Sequence, residues 1–162
     1  MKMYTLKTEQ IINTNIDDAW SFFSSPRNLK TITPDYMDFK IKSIEADKPA
    51  YAGQIIYYSV KPLFNIPINW VTEITQVKHK SHFIDEQRFG PYKLWHHQHF
   101  FEEHPKGVKM TDIVHYVIPF GIIGRIANWL FISKQLEGIF QYRTEQVNKI
   151  FKKSKAKTIA LY

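Results

Sequence analysis

From residue 37 to residue 119 the chain passes through one strand-like run after another, with no helical segment between them: Met37–Ala46, Gln54–Lys61, Ile66–Lys78, His82–Arg88, Leu94–Glu103 and Lys109–Pro119. Gly, Pro, Asp or Asn signals separate the runs, as turns require. Parallel strands need a long crossover, usually a helix, so these runs predict an antiparallel sheet. Residues 3–12 read as a further strand, which makes seven. From about Gly121 to Lys153 the period changes, and Ile122, Ile126, Trp129, Leu136, Phe140, Val147 and Ile150 fall on one helical stripe. A sheet must bury a face, and this helix is the only element long enough to cover it. The class is therefore α+β. A strongly curved sheet around one helix leaves a space between the two.

Two short helices are expected after the first strand. Asn15 is a candidate N-cap, followed by Asp17 and Asp18 where the helix dipole favours negative charge. Ile16, Trp20 and Phe23 form the apolar face of this first helix. Ser25 and Pro26 suit the start of the second, and Pro34 stops it by disfavouring the α conformation at Thr33. The 162 residues suffice for a single domain, expected over 1–153, with a basic tail over 154–162. Gly138 lies inside the long helix at a cost of about 1 kcal/mol relative to Ala, which suggests a close approach to the sheet.

Aromatic residues make up 15% of the chain, more than a minimal core needs, so the core is wide or surrounds something. The formal charge of +7 favours anions, nucleic acid or acidic lipid without choosing among them. Lys149, Lys152, Lys153, Lys155 and Lys157 read as a solvated helix end. Few aromatics are interleaved there, so no nucleic-acid partner is expected. The absence of cysteine excludes disulfides and thiolate chemistry and fits a cytoplasmic location. The N-terminal residues lack the apolar run of a signal peptide. The most apolar stretch, Pro119 to Ser133, is broken by Arg125 and Asn128 and falls short of the ~20 residues that span a bilayer. Part of it is a candidate lip or gate at a pocket mouth, or an oligomer contact, with Gly121 and Gly124 allowing movement; peripheral membrane contact is a separate reading of the chain as a whole.

Ionisable residues interrupt the apolar rows. Asp112 lies among Val108, Met110, Val114, Tyr116 and Ile118 at alternate positions of the last strand. His97 and His99 lie between Trp95 and Phe101 on the strand before it, and Asp85 and Gln87 between Phe83 and Phe89 on the one before that. Buried groups of this kind are costly unless paired, so they are expected to meet. His104-Pro105-Lys106-Gly107 fits a four-residue β-turn. That turn sets His99 opposite Asp112, His97 opposite Val114 and Phe101 opposite Met110. A turn centred on Pro91 sets Asp85 opposite His97. The result is a cluster of Asp85, His97, His99 and Asp112, with Gln87 and Trp95 beside it. It reads as a structural hydrogen-bond network, as the polar end of a ligand site, or as a His–carboxylate pair for general acid–base chemistry. No Ser or Cys nucleophile signature accompanies it. His97, His99 and Glu103 share a strand face and a spacing that can hold a divalent ion. The Gly spacing of a cupin motif is missing, however, and neither metal nor cofactor is expected.

The order of elements, with Trp20 to Leu29 on the helix pair, resembles the SRPBCC superfamily of START-like and Bet v 1-like helix-grip proteins. The run from Asp85 through Gly90, Pro91 and Trp95 to Phe100, then Thr111 to Pro119 and Gln135 to Arg143, resembles bacterial ligand-binding members labelled polyketide cyclase/dehydrase-like or cell-division-inhibitor-like. The resemblance implies a seven-stranded curved antiparallel sheet gripping the C-terminal helix around a hydrophobic cavity. The expected function is binding of a small hydrophobic or amphipathic molecule. Trp70, Phe83, Trp95, Phe101, Tyr116, Trp129 and Phe140 are candidate wall residues, Asp85, His97, His99 and Asp112 the polar end, and Gln87 its neighbour. The alternative is a cyclase- or dehydratase-like enzyme, with His97 or His99 as base and Asp85 or Asp112 orienting it. The oligomeric state is left open.

Overall fold

The computed structural model describes residues 2–43, 48–62 and 66–158. Strand β1 (Tyr4–Ile12) leads into helix α1 (Ile16–Phe23), where the Asn15 side chain accepts from the Asp18 N–H at 2.8 Å. The second helix is a 3-10 segment, Pro26–Ile32, which ends as Thr33 turns extended before Pro34. Ser25 precedes it without a side-chain cap. Strands β2 (Lys40–Ile41), β3 (Gln54–Val60), β4 (Ile68–Lys78), β5 (His82–Phe89), β6 (Leu94–His104) and β7 (Gly107–Val117) follow. They form one antiparallel sheet in the order β1-β7-β6-β5-β4-β3-β2.

The strand expected over Met37–Ala46 is reduced to Lys40–Ile41, and residues 44–46 of that expectation lie outside the described residues. A 3-10 turn at Asp35–Met37 and a left-handed Asp38 (φ 44°) delay its start. The β6–β7 hairpin has the expected register, with His104 opposite Gly107, His99 opposite Asp112 and Phe101 opposite Met110. Gly107 sits at φ 133°, and a Cβ there would strike the Ile12 carbonyl. Asp85 pairs with His97 across β5 and β6.

After β7 come helix α2 (Gly121–Ala127), a π turn (Asn128–Ile132) and helix α3 (Ser133–Thr158). The single apolar stripe expected over this region is broken. Leu136, Phe140 and Val147 are buried, but Ile122, Ile126 and Trp129 face solvent, with Trp129 76% exposed. The π turn is the reason. It carries more residues per turn than an α-helix, so it rotates the helix before it relative to the helix after it. Gly124 and Asn128 therefore face inward. The Tyr116 hydroxyl donates to Asn128 Oδ1 at 3.0 Å, and Ser133 Oγ donates to the Asn128 carbonyl at 2.9 Å. The close approach expected at Gly138 occurs at Gly124 instead: a Cβ at 138 meets nothing, whereas one at 124 would collide with the Pro119 carbonyl. Helix α3 runs through the first part of the expected tail, and residues 159–162 lie outside the described residues.

Three apolar clusters pack the space between the sheet and the helices. Under α1, Trp20 packs edge-on against Phe83 and Phe101, with Phe23, Val147 and Phe151 in the same cluster. Met37, Phe39, Val60 and Trp70 form a second cluster. Val114, Tyr116, Leu136 and Phe140 form a third, between β7 and α3. Helix α3 is also tied to β1, where Gln10 Nε2 donates to the Thr144 carbonyl and Asn148 Oδ1, both at 3.0 Å.

Candidate functional site

Strand alternation sends Asp85, His97, His99 and Asp112 to the concave face, and the observed register brings them into one closed network. His97 Nε2 lies 3.0 Å from Asp112 Oδ1, and His99 Nε2 lies 2.9 Å from Asp85 Oδ2. His97 Nδ1 is 3.5 Å from Asp85 Oδ2. His99 Nδ1 is 2.7 Å from Asp112 Oδ1, but it is out of line for a hydrogen bond and has no other partner among the described residues. The two imidazoles lie 3.7 Å apart between centroids, and Phe83 stacks on His99 at 4.1 Å.

A fifth member comes from α3. Arg143 lies three residues after Phe140 and four before Val147, so it shares their inward stripe. Its Nη2 is 3.7 Å from Asp112 Oδ1, and its guanidinium lies over the rings of Phe23 and Phe140 at 5.6 and 5.8 Å. Only 12% of the side chain is exposed, and among the described residues it makes no hydrogen bond. Sequence reasoning assigned Arg143 no role. The available signal was a cation inside an apolar helical stripe.

Burial governs the protonation states, and charge pairing then modifies them. Burial favours the neutral form of Asp112, yet Arg143, His97 and His99 hold its carboxyl well below the usual range. Asp85 is likewise lowered against burial by His99, His97 and Arg143. For His99, burial opposes the charge, but Asp112 and Asp85 outweigh it and raise the imidazole. For His97, burial and the nearby His99 charge win, and its pKa falls to about 4. The resting network thus holds two carboxylates and a neutral His97, with the Arg143 guanidinium beside Asp112 and His99 shifted toward its charged form. Donation to an ionised Asp112 places the His97 proton on Nε2 and leaves Nδ1 as an acceptor.

The network borders a cavity of about 410 Å³ between the sheet and the C-terminal helical region. Trp70, Phe83, Asp85, Trp95, His97, His99, Phe140 and Arg143 line it, with Ile56, Tyr58, Leu136 and Ile139 among the apolar remainder. Among the described residues the buried Trp70 Nε1 has no acceptor. Five residues expected at the site stand elsewhere. Asp112 lies behind His97 and His99 and reaches the cavity only through them. Gln87 clasps the β5–β6 turn: its Nε2 donates to the Tyr92 carbonyl at 2.6 Å and its Oε1 accepts from the Tyr92 N–H at 3.2 Å. Phe101 belongs to the solid cluster under α1, and Tyr116 is tied to Asn128. Trp129 points to solvent because of the π turn. Glu103, weighed as a metal ligand, is exposed. The donor atoms of Asp85, His97 and His99 lie within 4.8 Å of one another. A cation among them would displace the existing hydrogen bonds and sit close to Arg143.

No family model and no curated protein matches the sequence. Solved structures match at the level of fold. A protein of Chromobacterium violaceum aligns at TM-score 0.69 with 11% identity, over 91% of this chain and 96% of its own. One from Mycobacterium smegmatis aligns at TM-score 0.67 with 14% identity, over 93% and 92%. Ara h 8.0201, a Bet v 1 homologue, aligns at TM-score 0.58 with 11% identity, over 90% and 98%. Among the described residues no helix is long and apolar enough to cross a membrane. With its seven-stranded antiparallel sheet wrapped against a long C-terminal helix, the chain has a Bet v 1-like helix-grip fold.

Proposed function

We propose that the chain binds a small hydrophobic or amphipathic molecule between its sheet and its C-terminal helix. The observation that carries this reading is an apolar cavity of about 410 Å³ with one concentrated polar patch, Asp85, His97, His99 and Arg143. That volume and composition fall within the range of small-molecule sites, which are mostly apolar with a few placed polar groups. In this reading Trp70, Phe83, Trp95 and Phe140 supply contact area. The polar network then orients the polar end of the ligand. Native mass spectrometry of the purified protein, followed by solvent extraction, tests the proposal. The expected result is a co-purified apolar species, or stoichiometric uptake of added apolar probes. Apoprotein that takes up no probe would refute it.

The Asp112–His97 pair supports a second reading, cyclase- or dehydratase-like acid–base chemistry on the bound molecule. A pKa near 4 makes resting His97 a hydrogen-bond acceptor and a weak base at neutral pH. The two readings separate on His97→Gln, which keeps a donor toward Asp112 but removes the base. A binder keeps its ligand affinity, whereas an enzyme loses turnover by about 10²–10⁴-fold.

A further inference from the structure

The hydrogen-bonding capacity of the polar patch is unevenly used. Asp85 and Asp112 both accept from imidazoles. Arg143 has its charge matched by Asp112 at 3.7 Å, but that separation is too long for a hydrogen bond. A guanidinium carries five N–H donors in a rigid plane. Here none meets an acceptor among the described residues, although the side chain is largely buried, lines the cavity and lies over Phe23 and Phe140. These donors stand on the cavity lining and are open to a ligand there, and the geometry a guanidinium fits best is a planar two-oxygen anion.

Resting on the binding function proposed above, we infer that the ligand is an amphipathic carboxylic acid whose carboxylate pairs with Arg143 while its apolar body fills the cavity. Charge limits the class further. The network already holds two carboxylates, and a monoanion adds one further negative charge beside Arg143. A phosphate monoester adds nearly two, and the apolar wall offers nothing to offset the second. Asp85 and His97 act as selectivity elements. Both line the same cavity, and the ionised Asp85 repels a carboxylate, so the anion is held where Arg143 reaches it.

Isothermal titration calorimetry with two acids of different shape, decanoate and 1-naphthoate, tests the inference against their alcohols, 1-decanol and 1-naphthalenemethanol, and against decyl phosphate. At least one acid is expected to bind tenfold or more tighter than its alcohol and than decyl phosphate. Arg143→Met is expected to abolish that preference while keeping alcohol binding. Arg143→Lys, which keeps the charge and loses the fork, should restore it only in part. Equal affinity for acid and alcohol in the unmodified protein, a comparison that needs no folded variant, overturns the inference and leaves the cavity reading standing. So does preference for the phosphate. Failure of all five probes to bind overturns both.

Discussion

The neutral state of His97 makes stability pH-dependent in a definite direction. Its pKa is about 4 in the folded protein against an ordinary value of 6.5, chiefly because it is buried. Between those values the unfolded chain binds a proton that the folded chain refuses, so stability falls as pH falls. At about 1.4 kcal/mol per unit, the full loss is about 3 kcal/mol. The other members act in different windows. Asp85 and Asp112 are lowered, so their contribution is present above the ordinary carboxylate value and is lost as pH drops through their folded values. His99 is raised, so its contribution is complete below its ordinary value and is lost as pH rises through its folded value. Within the network, the decline from about pH 6.5 toward pH 4 therefore belongs to His97. Urea unfolding followed by tryptophan fluorescence, at steps from about pH 7 to about pH 4.5, measures it. His97→Gln keeps a donor toward Asp112 and cannot titrate, so its curve should be flatter by most of that amount. Parallel curves for the two proteins would refute the protonation scheme.

Asp112→Asn leaves Arg143 and His99 facing a lone carboxylate and should cost about 3–5 kcal/mol. Adding Arg143→Met should recover part of that in a double-mutant cycle, and strict additivity in urea titrations would contradict the pairing. Trp129→Ala should change stability by no more than about 0.5 kcal/mol, because the ring stands in solvent, whereas Trp70→Ala should cost about 3–5 kcal/mol. Equal losses would show that the helix phase is misread. Gly138→Ala should stabilise by about 1 kcal/mol, since its Cβ meets nothing, and Gly124→Ala should destabilise through the Pro119 carbonyl. Thermal melts that rank the two the other way would place the close contact elsewhere.

The sequence was most legible where short-range rules act. Pro105 and Gly107 pin one hairpin, and with the hairpin pinned, alternation alone sets His99 opposite Asp112. The sheet and the polar cluster follow from that. Alternation assigns a face but not a position along the groove. Phe101 and Tyr116 point inward, as read, yet they pack under α1 and against Asn128 rather than around the cavity. The helix failed at a single point. A 3.6-residue period assumes regular winding, and nothing in Asn128–Ile132 announces the wider turn. Arg143 was overlooked because a cation on a helix is ordinarily a solvated one. Its burial is a tertiary effect, set by Phe23 from α1 and Phe140 from α3 beneath the guanidinium.

That wider turn has a consequence for the outer wall. It holds α2 about 100° away from where uninterrupted winding would leave it. Regular winding over the same length would swing Ile126 and Trp129 inward and draw Asn128 away from Tyr116. The bond from phenol to amide is thus a latch that keeps the greasy side of this segment turned outward.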